Sequence, residues 1–139
     1  MNHARRDIML VKLVRDSPLR KLLLPTVGGE HARLAEECAA SLIRLRGGLL
    51  TVCSVVPPDA TKATVETMNE RLDGAMARIT EMNGLAVDSK IIRHASIGVS
   101  IIQEAKRYDA VVVGAAGRSI YTSHCQKLRF FKSLETGRE

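Results

Sequence analysis

Three short apolar runs set the terms for this chain: "KLLLPTV" at residues 21–27, "LLTVCSVV" at 49–56 and "DAVVVG" at 109–114. Each is short, and each meets Gly or Pro at its end. Such runs read as strands buried on both faces of a sheet. The segments between them have a different period. Residues 30–46 place Leu34, Cys38, Leu42 and Leu45 at helical spacing, with Ala35, Ala39 and Ile43 beside them, and Gly47-Gly48 ends the run. After "PPDATKA", Val65, Met68, Leu72, Met76, Ile79 and Met82 mark a second amphipathic helix that closes at Asn83-Gly84. "VDSKIIRHA" at 87–95 alternates and reads as an edge strand, with His94 at its end. A short helix over about 98–107 carries Val99, Ile102 and Ala105 on one face. "IMLVKLV" at 8–14 predicts one more strand, and a weak helical signal spans 119–133.

Alternation of this kind predicts an α/β fold: an open, doubly wound, mostly parallel sheet with right-handed crossovers. Ligands of such sheets sit outside the carboxyl ends of the strands, where the strand order switches. Two loops should lie there, one after "KLLLPT" and one after "DAVVVG".

Composition narrows the function. The 139 residues are 45% hydrophobic, a globular make-up, so residues 19–139 are expected to form one α/β domain, with 1–18 as an N-terminal strand or linker. Aromatics are only 3% and there is no Trp, which argues against a stacking platform for single-stranded nucleic acid. The net charge of +6 gathers at the two ends, from Arg5 to Lys21 and from Arg118 to Arg138. Solvated, solubilising ends account for it without a nucleic-acid partner. Cys38 and Cys53 fall in apolar runs and read as small core residues, while Cys125 is the one expected to meet solvent. An odd count without close spacing is no disulfide framework and points to a reducing compartment. His31, His94 and His124 show no metal spacing, and no nucleophile elbow or carboxylate pair appears. No signal peptide or membrane-length apolar run is seen, so a cytoplasmic protein is expected.

The succession "RKLLLPT", helix, "LLTVCSVV", long helix, "SIGVSIIQEAKRYDAVVVGAAG" resembles the universal stress protein domain over about residues 19–117. The resemblance implies the adenine nucleotide alpha hydrolase-like sheet, usually a homodimer, and a regulatory role in stress response without a defined reaction. One subfamily binds ATP and another does not. Some members are cytoplasmic appendages of amino-acid permeases and ion antiporters, so a membrane transporter is the class of partner that the resemblance implies.

The chain departs from the ATP-binding pattern in three places. In those members the first strand of the domain ends in Pro-Thr-Asp or Pro-x-Asp, where here Pro25-Thr26-Val27 has no carboxylate. They carry Gly-x-x-Gly, nine residues, then Gly and a hydroxyl residue. Here Gly114 and Gly117 are followed at that distance by Lys127 and Leu128. Their last strand, which commonly builds the dimer, has no counterpart in "QKLRFFKSLETGRE". The missing strand would leave a sheet edge for residues 8–14 to cover, in cis or by exchange within a homodimer.

The expectation is a non-catalytic regulatory domain with a degenerate nucleotide site at Pro25, Thr26, Val27, Gly28, Val55, Gly114, Gly117, Ser119 and Thr122, and no cofactor. The alternative is an ATP- or AMP-binding switch, with Mg²⁺, whose phosphates lie at Gly114–Gly117.

Overall fold

The computed structural model describes residues 7–13, 19–26, 30–84 and 86–116. Five strands form one sheet: β1 (Asp7–Leu13), β2 (Lys21–Pro25), β3 (Leu49–Val56), β4 (Val87–Arg93) and β5 (Ala110–Ala116). Three helices connect them: α1 (Glu30–Arg46), α2 (Lys62–Asn83) and α3 (Ile97–Ala105). The spatial order is β1-β5-β2-β3-β4. The four strands β5, β2, β3 and β4 are parallel, and β1 joins β5 antiparallel. This is the expected open doubly wound sheet.

Local chemistry sets the ends of these elements. Thr61 caps α2, its Oγ1 accepting the Thr64 N–H at 3.2 Å. Gly84 stops α2 in the left-handed region at φ 63°, its N–H donating to the Thr80 carbonyl. Ser96 caps α3 by accepting the Val99 N–H. Gly48 has a packing reason: a Cβ there would lie 2.3 Å from the Arg20 carbonyl oxygen, where the entries to β2 and β3 meet.

The chain steps outward from β2 to β3 to β4, then crosses back to place β5 on the other side of β2. Right-handed crossovers therefore put α1 and α2 on one face and α3 on the other. The first face holds the larger core. Leu22, Leu24, Leu50, Val52, Ala110 and Val112 meet Ala35, Ala39, Ala40, Ile43, Leu72, Ala75 and Ile79. Burying a Leu or Ile side chain contributes about 1.5–3 kcal/mol, so this face dominates the packing. The second face gathers Leu23, Cys53 and Val111 with Ala105 and Tyr108. The period-2 alternation along β2, β3 and β5 divides the strand residues between the two faces.

Two expectations are corrected. The apolar face of α1 centres on Ala35, Ala39 and Ile43, and Leu34 and Leu45 are 37% and 78% exposed. Small residues let α1 pack closely on the sheet, and this rotates the larger leucines outward. Cys38 accordingly lies half-buried, whereas Cys53 is fully buried as expected. Second, β5 continues through Gly114 to Ala116 instead of turning at Gly114. Pairing with β1 keeps it extended, Met9 standing opposite Gly114. The N-terminal strand covers the β5 edge within its own chain. The helical signal at 119–133, Cys125 and His124 lie outside the described residues.

Candidate functional site at the strand switch

The strand order reverses between β2 and β5, so the crevice at their carboxyl ends is the site that this topology offers. Pro25 is half-buried at the end of β2, level with Cys53 of β3. Thr26 follows and is buried. Its N–H donates to the Cys53 carbonyl at 2.8 Å, and its carbonyl accepts the Ser54 hydroxyl at 2.6 Å. Ser54 is itself buried, so the exit of β2 is fixed to β3 by two bonds. Val55, half-buried, stands two residues beyond Cys53 on the neighbouring strand. Gly114 is half-buried on β5, on the other side of β2.

The fold thus brings Pro25, Thr26, Val55 and Gly114 to the carboxyl half of adjacent strands. Val27, Gly28, Gly117, Ser119 and Thr122 lie outside the described residues. Among the described residues no cluster of His, Cys, Asp and Glu could hold a metal ion, and no helix is long and apolar enough to cross a membrane.

Three polar arrangements were not anticipated from the sequence. Asp109 precedes β5, and its Oδ2 accepts the Arg20 and Lys21 N–H groups at 3.0 and 2.9 Å. Its own N–H donates to the Lys21 carbonyl. These bonds fix the entry to β2 beside the entry to β5, opposite in direction to the crevice. Glu36 of α1, 1% exposed, takes two bonds from Arg78 of α2, at 2.9 and 2.8 Å. Bonding to Glu36 raises the Arg78 pKa above its already high ordinary value. A shallow charged indentation around this pair is lined by residues of α1 and α2 alone. On the other face Lys90 of β4 bonds Glu104 of α3 at 2.6 Å. Burial pushes the Cys53 thiol from 9.0 up to about 12, with Glu104 adding to the rise and Lys90 opposing it. That thiol is inert at neutral pH.

The sequence did hold a signal for the Glu36 pair. Residues 36, 39, 40 and 43 share one helical stripe, so a carboxylate there is buried and must be paired.

Comparison with solved structures places this architecture. It is the universal stress protein fold. A universal stress protein from Archaeoglobus fulgidus in complex with dAMP is 17% identical, covering 66% of this chain and 75% of that one, with a TM-score of 0.58. A universal stress protein in complex with cAMP is 13% identical, covering 70% and 77%, with a TM-score of 0.61. A protein of the universal stress protein family from Burkholderia pseudomallei is 20% identical, covering 67% and 77%, with a TM-score of 0.56. No family model matches the sequence, and no curated protein matches it. The likeness is therefore one of fold.

Proposed function

We propose that this chain is a non-catalytic regulatory domain of the universal stress type, with a degenerate nucleotide site, acting through dimer or partner contacts. The observation that carries this reading is Val27. It follows the rigidly held Thr26 at the carboxyl end of β2, where the ATP-binding pattern has a carboxylate. A hydrogen bond to a charged group contributes about 1.5–3 kcal/mol. Its loss weakens a nucleoside contact about tenfold or more. Leu128 in place of the hydroxyl residue removes one more phosphate donor. The partner class proposed is a membrane transporter, reached from the cytoplasmic side, and the dimer proposed exchanges β1 between copies. Exchange keeps the pairing seen here. Leu13 and Leu22 both stand opposite Ala110, on either side of it. Strands about 4.8 Å apart leave only about 10 Å for residues 14–21 to span. Eight residues span this distance with slack, so the linker permits the pairing within one chain and between copies alike.

A second reading is supported by the neighbours solved with dAMP and cAMP. In it the chain is an ATP- or AMP-binding switch with Mg²⁺, its phosphates at Gly114–Gly117. Calorimetry with ATP and Mg²⁺ separates the two. The first reading expects no micromolar binding, and a gain of about tenfold or more on Val27→Asp. Micromolar binding by the unaltered chain that is abolished by Gly114→Leu establishes the second.

A further inference from the structure

We infer that the outer edge of β4 is a docking edge for a second copy of this chain, paired antiparallel about a two-fold axis at Ser89. This goes beyond the proposed function and does not depend on nucleotide binding.

Among the described residues no strand pairs with that edge. Exposed edges are usually guarded by Pro, a bulge, a short strand or a free charge. β4 has seven residues and no Pro, and its register with β3 runs without a bulge from Val87 to Arg93. Of its charges, Lys90 is held against Glu104 and Arg93 donates to the Pro58 and Ala60 carbonyls, which leaves Asp88 as the exposed charge that a partner strand must match.

The backbone defines which groups are offered. The His94 N–H donates to the Val56 carbonyl, toward β3. Directions alternate along a strand, so the N–H and C=O groups of Val87, Ser89, Ile91 and Arg93 point outward. A two-fold axis normal to the sheet keeps each residue on its own face, so residues that oppose one another across the axis must share a face. That restricts the register to axes centred on a residue.

Side-chain chemistry then selects among them. An axis at Asp88 sets two carboxylates together, and one at Lys90 sets two ammonium groups together. An axis at Ile91 sets Lys90 against Ile92. An axis at Ser89 sets Asp88 of each copy against Lys90 of the other, twice, and Val87 against Ile91, twice. Opposite charges placed directly across strands stabilise the pair, and like charges destabilise it. In this register Ser89 faces Ser89 as a hydrogen-bonded pair. Asp88 and Lys90 form the non-hydrogen-bonded pairs, whose side chains approach more closely. Asp88 and Ser89 are exposed, and Lys90 is half-exposed. An ammonium has three donors, so Lys90 serves Glu104 and the second copy's carboxylate together. The product is a continuous ten-stranded sheet with two-fold symmetry.

Two measurements on the full chain test this. Mild oxidation of a Ser89→Cys variant should yield a covalent dimer whose linked peptides join position 89 to position 89. Opposed Cα atoms of a hydrogen-bonded pair lie about 5.5 Å apart, within disulfide range. Sedimentation should show Asp88→Lys and Lys90→Glu each weakening self-association by about tenfold. An equimolar mixture of the two variants should restore it, because both cross-strand pairs become complementary again. Absence of the 89–89 link, unchanged association of the single variants, or failure of the mixture to recover overturns the proposal.

Discussion

On each face of the sheet a carboxylate–base pair joins two elements, built to different depths. On the α1/α2 face Glu36 and Arg78 share two bonds, and the carboxylate is 1% exposed. On the α3 face Lys90 and Glu104 share one bond, with side chains 39% and 11% exposed. The difference follows from cover. Two helices of 17 and 22 residues enclose the Glu36 carboxylate, with Arg78 itself 40% exposed, whereas among the described residues one helix of nine overlies Glu104. A carboxylate as deeply buried as Glu36 has no solvent to fall back on, so its partner is obligatory. Glu104 keeps some access to water and takes one bond from Lys90 where Glu36 takes two from Arg78, so this pair contributes less.

The largest effect that sharpens this contrast is Arg78→Ala, which strands the Glu36 carboxylate. Breaking a buried pair from one side costs about 3–5 kcal/mol, readable from urea unfolding. Glu36→Leu combined with Arg78→Met should return most of that stability, because the buried charge is gone. A neutral Arg78→Ala would show that the two faces do not differ in this way.

Next comes an alkaline effect confined to the α3 face. The Cys53 thiol stays protonated in the fold to about 12, while the unfolded chain releases that proton above 9.0. The folded pKa is the raised one, so the contribution is fully present below pH 9.0 and is lost as pH rises toward about 12. The slope is at most about 1.4 kcal/mol per pH unit. Unfolding midpoints at successive pH values should fall more steeply for the wild type than for Cys53→Ala, and matching slopes would refute it. The smallest effect belongs to Lys90→Met, which takes from Glu104, 11% exposed, its bond to Lys90 and costs about 1–3 kcal/mol. A loss as large as that of Arg78→Ala would erase the distinction.

The strands of this fold were legible because β-branched and leucine runs bounded by Gly and Pro leave little alternative. α2 and α3 were legible in outline from their 3.6-residue period. The orientation of α1 was not, because a pattern of apolar residues cannot say that Ala35 and Ala39 outrank Leu34 and Leu45 for the inner face. Close approach to a flat sheet favours the small side chains, a tertiary preference absent from local periodicity. The candidate site was legible as a place, the crevice between β2 and β5. Its hold on Thr26 through Ser54 and Cys53 was not, since those partners lie 27–28 positions away. The run of β5 beyond Gly114 depends on β1, a hundred residues earlier in the chain, and no local signal reports such pairing.

Asp109 joins the entries of β2 and β5 across 88 and 89 positions of sequence, and among the described residues β1 has its sheet partner only in β5. During synthesis the amino-terminal segment emerges first, at about 5–20 residues per second. β1 must therefore wait on the order of 5–20 s before β5 exists to receive it. β1 is made before β5 yet is seated only after it, and in that interval it is an apolar ribbon open to any other edge.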